Sequence, residues 1–150
     1  MNPWDVLSGI TDPEIPVVSI TELGIVREVT LGAGSIEVAI TPTYSGCPAM
    51  GVIEDEIVGR LKQAGYAEVR VRTVLAPAWS TDWIAPSARE KLRQFGIAPP
   101  ARVKLFPRSV ACPRCGAQRT ERVSEFGSTA CKAHYRCREC LEPFDFFKPL

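Results

Sequence analysis

Hydrophobic and polar positions along the chain switch between a helical and a strand period, and this order of elements is the first thing the sequence predicts. Residues 3–10 (Pro-Trp-Asp-Val-Leu-Ser-Gly-Ile) read as a short helix. Thr11-Asp12-Pro13-Glu14-Ile15-Pro16 must then be a loop, since two prolines three apart interrupt any regular element, and its acidic residues are expected at the surface. Residues 25–31 and 35–41 carry β-branched side chains around Gly32-Ala33-Gly34, which reads as a hairpin with a glycine-permitted turn. After Pro42-Thr43-Tyr44-Ser45-Gly46-Cys47, Pro48 suits the first position of a helix reaching Gly65. Met50, Ile53, Ile57, Leu61 and Ala64 fall on one apolar stripe of that helix, with Glu54, Asp55, Glu56, Arg60 and Lys62 mainly off it. Val69, Val71 and Thr73 alternate with Arg70 and Arg72 in a third strand with one wet face. Residues 85–95 give another short helix, closed by Gly96.

Helix, two strands, helix, strand, helix implies a small α+β sandwich. Ala98-Pro99-Pro100-Ala101 marks an extended connector, so residues 1–100 and 101–150 are expected to form two domains. With 45% hydrophobic and 23% charged residues and a net charge of +1, the 150-residue chain has a globular composition and should bury a core. No apolar run approaches the roughly 20 residues that cross a bilayer, and the amino end lacks a basic region followed by an apolar stretch. A soluble, cytoplasmic protein is the expectation. Charge divides with the elements: residues 1–100 hold 8 basic and 12 acidic side chains, and residues 101–150 hold 10 and 5. Four zinc-bound thiolates would offset much of that basic excess, which leaves weak evidence for a nucleic-acid partner.

Of the six cysteines, five lie in the second half, and Cys112-Pro-Arg-Cys115 and Cys137-Arg-Glu-Cys140 are two Cys-x-x-Cys knuckles. Each places two thiolates on one tight turn, and together they complete a tetrahedral Zn(II) shell in a β-hairpin ribbon. Redox or Fe-S chemistry at the same quartet is the competing reading, because thiolate ligation alone does not identify the metal. The few apolar residues nearby could hardly stabilise a separate core, so metal binding should supply much of the folding energy. Cys131 and His134 are either hairpin residues or auxiliary ligands, Cys131 being the more suspect.

Cys47 precedes Pro48 and so sits at the amino end of the main helix, where free N–H groups and the helix dipole favour an anion. It could act as a nucleophile or metal ligand, with Thr43, Tyr44 or Ser45 as hydrogen-bond neighbours, or it could be a small buried apolar residue. Asp12 is either a turn former or part of a site. Trp79 and Trp83, in Pro77-Ala-Trp-Ser-Thr-Asp-Trp83, suit a client-binding surface and equally suit the sealing of a small core.

Asp12-Pro-Glu-Ile-Pro-Val17, Glu22-Leu-Gly-Ile25, Thr41-Pro-Thr-Tyr-Ser-Gly-Cys-Pro48 and Trp79-Ser-Thr-Asp-Trp83 resemble the PaaD (PaaJ) type of subunit associated with phenylacetyl-CoA epoxidase. The resemblance continues through Ser124-Glu-Phe-Gly-Ser-Thr-Ala-Cys131, Tyr135-Arg-Cys137 and Glu142-Pro-Phe-Asp145, and the first 100 residues resemble the broader SufT-like Fe-S assembly domain. It implies an accessory role in aerobic phenylacetate catabolism. In that system a multicomponent oxygenase uses a di-iron subunit and a reductase carrying flavin and a 2Fe-2S cluster. By resemblance, Cys47 matches the reactive cysteine of the assembly domain, Asp12 its acidic loop residue, and the four ribbon cysteines the carboxyl-terminal metal module. The implied partners are the oxygenase components and the Fe-S assembly machinery, with iron or an Fe-S cluster as transient cargo.

The residues themselves provide no oxygenase. A di-iron centre needs paired carboxylate and histidine ligands, and the sequence has one histidine. It also lacks a Gly-x-Gly-x-x-Gly fingerprint and a phosphate-binding P-loop. The expectation is a non-catalytic maturation subunit. A structural or regulatory subunit of the oxygenase and a zinc-ribbon nucleic-acid binder stand as alternatives.

Overall fold

The computed structural model describes residues 2–44, 47–100 and 110–149, which divide into two compact units, residues 1–79 and 80–150. Ser45, Gly46 and Ala101, named above, lie outside the described residues.

The first unit opens with α1 (Pro3–Ser8), where Pro3 needs no N–H partner and the Asn2 side chain accepts the N–H of Trp4. Strands β1 (Val26–Leu31) and β2 (Ser35–Ile40) form the predicted antiparallel hairpin, turned through Gly34 at φ 74°. Helix α2 (Ala49–Gln63) then returns the chain so that β3 (Glu68–Thr73) lies parallel to β2, giving the sheet order β1-β2-β3. A parallel neighbour requires such a crossover, and here α2 is that crossover. Register pairs Ile36 with Val69 and Val38 with Val71, so these apolar side chains share one face. Their neighbours Glu37, Arg70 and Arg72 occupy the other, where Arg72 pairs with Glu37 and Glu28.

Two details differ from the sequence pattern. The buried stripe of α2 is Ala49, Ile53, Ile57 and Leu61; Met50 is half-buried and Ala64 exposed, because the stripe drifts at the frayed ends of the helix. Asp12 is not at the surface but only 6% exposed.

The second unit begins with a 3-10 turn (Thr81–Trp83) and α3 (Pro86–Gln94), which ends at Gly96 with φ 88°. Strand β4 (Ile97–Ala98) pairs in parallel with β7 (Pro143–Phe147), which pairs with β6 (Lys132–Cys137) and that with β5 (Thr120–Ser124). The sheet order is β4-β7-β6-β5. The compact units thus divide ahead of the proline pair, because two residues before it are hydrogen-bonded into the ribbon sheet. Ala98, Val110, Cys112, Cys137, Phe144 and Phe146 make a small core, with Tyr135 edge-on to Phe146. Two of those six core residues are knuckle cysteines. No helix among the described residues is long and apolar enough to cross a membrane.

Candidate functional site

In the ribbon, the knuckle turns are built by their own backbone. The Cys112 N–H donates to Ala117 O and the Cys137 N–H to Glu142 O, while the N–H groups of Arg114 and Glu139 point at the Cys112 and Cys137 sulfurs at 3.4 and 3.3 Å. At Cys137 the backbone donors favour thiolate over thiol. The antiparallel pairing of β5 and β6, with Thr120 opposite Cys137, brings the second knuckle to the first, so that all four sulfurs lie within 4.8 Å of one another. Cys112 and Cys140 are 3.8 Å apart and Cys115 and Cys137 3.6 Å apart. A tetrahedron with metal–sulfur bonds of about 2.3 Å has edges of about 3.8 Å, so the donor set fits one tetrahedral metal ion.

Protons and metal compete for this cluster. The N–H of Cys140, followed by that of Glu139, holds the Cys137 thiol down at about 7 against the penalty of desolvation. For Cys140 the N–H of Glu142 pulls down, but desolvation and the thiols of Cys137, Cys115 and Cys112 outweigh it and push the group up to about 12. One thiolate therefore forms first and opposes the next. A divalent cation reverses that order by replacing the protons, so metal uptake releases them.

Cys131 is not brought to this cluster. It is buried just ahead of β6 with Thr129 Oγ1 3.0 Å from its sulfur, and a strand rise of about 3.3 Å per residue puts it on the order of 20 Å from Cys137. His134 faces Asp145 across the β6–β7 pair at 3.8 Å and is likewise remote.

In the first unit, Cys47 is half-exposed immediately before α2. Pro48 takes the N-cap position and supplies no side-chain cap, while the Cys47 carbonyl accepts the N–H of Met50. The approach to this end of the sheet is laced by backbone bonds: Ile20 N–H to Ile10 O, Ile25 N–H to Ile20 O, and Thr41 N–H to Ile25 O. They tie the acidic loop, the turn at Gly24 and the Thr41-Pro42-Thr43-Tyr44 segment to one another. Within the acidic loop, Asp12 Oδ1 accepts the N–H groups of Glu14 at 2.7 Å and Ile15 at 3.1 Å. Asp12 is thus the carboxylate that closes the loop, and its burial follows from that bonding. Trp79 is 5% exposed and donates Nε1–H to Leu23 O, which makes it a core anchor; Trp83, half-buried, keeps ring surface at the solvent.

Sequence reasoning missed Thr41. It is 1% exposed, and its Oγ1 is the one buried side-chain oxygen or nitrogen without a hydrogen-bond partner among the described residues. A hydroxyl so placed carries a desolvation cost that nothing among the described residues returns. No hydropathy pattern marks it, since threonine in a strand end is commonplace.

Fold and site together define a two-part chain, an α/β unit of the iron-sulfur assembly type followed by a four-cysteine metal-binding ribbon. A family described as iron-sulfur cluster assembly protein matches residues 4–76, and the PaaD zinc beta ribbon domain matches residues 98–148. The chain is 52% identical, over 97% of its length and 90% of the relative's, to a subunit of a "Putative 1,2-phenylacetyl-CoA epoxidase" from Escherichia coli (strain K12). It belongs to the PaaD family of these epoxidase subunits. It is also 31% identical over 57% of its length, and 83% of the relative's, to an "Fe-S protein maturation auxiliary factor" of Porphyromonas gingivalis (strain ATCC BAA-308 / W83). A crystal structure of a DUF59 domain from Bacillus anthracis covers 60% of this chain and 87% of its own with a TM-score of 0.56 and 29% identity.

Proposed function

We propose that this protein is an accessory maturation subunit of a phenylacetyl-CoA epoxidase system, handling iron or an Fe-S cluster in transit to the oxygenase components. Its first unit presents Cys47 to that cargo; its second holds Zn(II) as a structural ion on Cys112, Cys115, Cys137 and Cys140. The observation that carries this reading is the pairing of a half-exposed cysteine at an uncapped helix start with a buried, unpartnered Thr41 hydroxyl in the connection leading to it. A half-exposed thiol at a helix amino end, with an unused hydroxyl in the connection before it, suits transient binding of a soft metal and its anionic ligands. Asp12 serves by fixing the acidic loop through its two backbone bonds, and is a positioning residue. Names of the relatives agree: one is a subunit of a phenylacetyl-CoA epoxidase and another an Fe-S maturation factor. The protein itself performs no oxygen chemistry in this reading, and it acts in the cytoplasm with the reductase, the di-iron subunit and the Fe-S assembly machinery as partners.

The test is Cys47→Ala expressed in cells that depend on phenylacetate. Folded protein with a full ribbon metal content should persist, while iron in the purified reductase or di-iron subunit falls and epoxidation falls with it. Full iron occupancy with normal activity would defeat the Cys47 role. Full occupancy with lost activity would favour a structural subunit of the oxygenase.

A further inference from the structure

The two sheets have four edge strands among the described residues, and three of them are blunted. Strand β1 is bulged between Val26 and Glu28, β5 is bulged between Arg122 and Ser124, and β4 is two residues long. A bulge or a very short strand keeps an edge from recruiting another chain. Strand β3 has neither device. It pairs with β2 in unbroken register from Glu68 to Thr73, it holds no proline or lysine, and no strand continues the sheet beyond it among the described residues.

The phase of the ladder fixes which backbone groups this edge offers. The N–H groups of Glu68 and Val74 donate to Gly34 O and Ile40 O, so the even-numbered residues of β3 aim their backbone groups at β2. Val69, Val71 and Thr73 therefore turn theirs away from the sheet. Side chains divide by the same alternation: Val69 and Val71 share a face with Ile36 and Val38, and Glu68, Arg70 and Arg72 lie on the wet face.

An antiparallel strand that takes up these bonds sets outward-turned residues opposite outward-turned residues. For β3 of a second copy, charge then discriminates among the two-fold registers. Centred on Arg70 or on Arg72, the joint sets that arginine opposite itself; centred on Val71, it sets Arg70 opposite Arg72. Centred on Val69, it sets Glu68 of each copy opposite Arg70 of the other. Arg70 already reaches Glu68 of its own strand at 2.8 Å, so in this register the side chains of both copies close into one alternating network.

We propose that the protein forms a two-fold dimer through β3, the edges of two copies joining antiparallel about Val69 so that β1-β2-β3 continues into the same strands of the second copy. Outward main-chain groups hold the joint, and the Glu68–Arg70 pairs select its register. This is independent of the iron-handling reading and needs neither Cys47 nor the ribbon metal.

Sedimentation velocity of the full-length protein over a dilution series tests it. Wild type should pass between monomer and dimer. Val69→Pro, which removes an N–H turned away from β2, should stay monomeric with an unchanged circular dichroism spectrum. Glu68→Arg sets arginine opposite arginine and should raise the dissociation constant about tenfold; adding Arg70→Glu to the same chain restores the pairs with their signs exchanged and should bring it back. Should Val69→Pro lose the fold, the charge exchange decides by itself. A wild type that is monomeric throughout, a folded Val69→Pro that still dimerises, or a double variant no better than Glu68→Arg would overturn the proposal.

Discussion

Replacing Thr41 by valine makes the sharpest test of how the Cys47 region is built. The exchange preserves shape and β-branching, and the backbone bond from Thr41 N–H to Ile25 O at 2.9 Å is untouched. What changes is one hydroxyl, buried at 1% exposure with no partner among the described residues, which becomes a methyl group. Breaking a satisfied buried hydrogen bond destabilises a protein by about 1–3 kcal/mol. Here no bond is lost and a desolvated polar atom is removed, so the sign reverses and Thr41→Val should stabilise the first unit by about 1 kcal/mol. For a unit of this size that raises the melting midpoint by roughly 4 °C. Thr41→Ser keeps the hydroxyl but deletes a buried methyl group, and should cost about 1 kcal/mol instead. Scanning calorimetry on the three proteins reads the signs directly. Under the proposed function the order inverts for iron delivery: the more stable Thr41→Val delivers poorly, and the less stable Thr41→Ser delivers nearly as wild type. A destabilised Thr41→Val would show that the hydroxyl is bonded in the folded protein, and the reasoning from its isolation would fall.

Three further outcomes follow from the geometry. Under the proposed zinc site, Cys115→Ser should lose the ribbon metal and raise hydrogen exchange through β5, β6 and β7 while α2 and its sheet stay protected, since two of the six core residues belong to the four-cysteine cluster; retained protection in metal-free protein would refute it. Gly59→Ala, in the middle of α2 where an added methyl meets nothing within 4 Å, should stabilise the first unit by about 1 kcal/mol in urea titration, and a loss would mean that the face is not free. Arg138 and then Arg136 hold the Glu121 carboxyl below its ordinary 4.5, so its support of the β5–β6 pair is fully present above that value and is lost as pH falls through the lowered one. Protection factors in β5, taken against the intrinsic exchange rate at each pH, should therefore fall with acid, and Glu121→Gln should flatten that dependence.

The periodic parts of the fold were legible because the physics that sets them is local. The spacing of Ile53, Ile57 and Leu61 marks a helix face wherever the chain later places it, and two Cys-x-x-Cys turns carry their own geometry. Strand β4 was not legible: Ile97–Ala98 is too short for any period, and it exists only because Asp145 and Phe146 lie alongside. The burial of Asp12 and Trp79 was equally hidden, since each is fixed by a backbone partner, the loop amides in one case and Leu23 O in the other. Cys131 looked close to the knuckles in sequence, yet strand extension carries it away.

The parallel pairing of β4 with β7 also sets an order of events during synthesis. The first unit has all its strands once residue 73 has emerged, and its helix crossover closes over a short span of chain. The second cannot complete its sheet until residues 143–147 arrive to join a strand whose paired residues, 97 and 98, were made 48 positions earlier. Between those moments Cys112 and Cys115 are already synthesised, while Cys137 and Cys140 are still to come. The half bearing Cys47 is thus able to fold on the ribosome while the ribbon awaits both its last strand and its ion, so a shortage of ribbon metal would leave a nascent chain with one finished half and one open one.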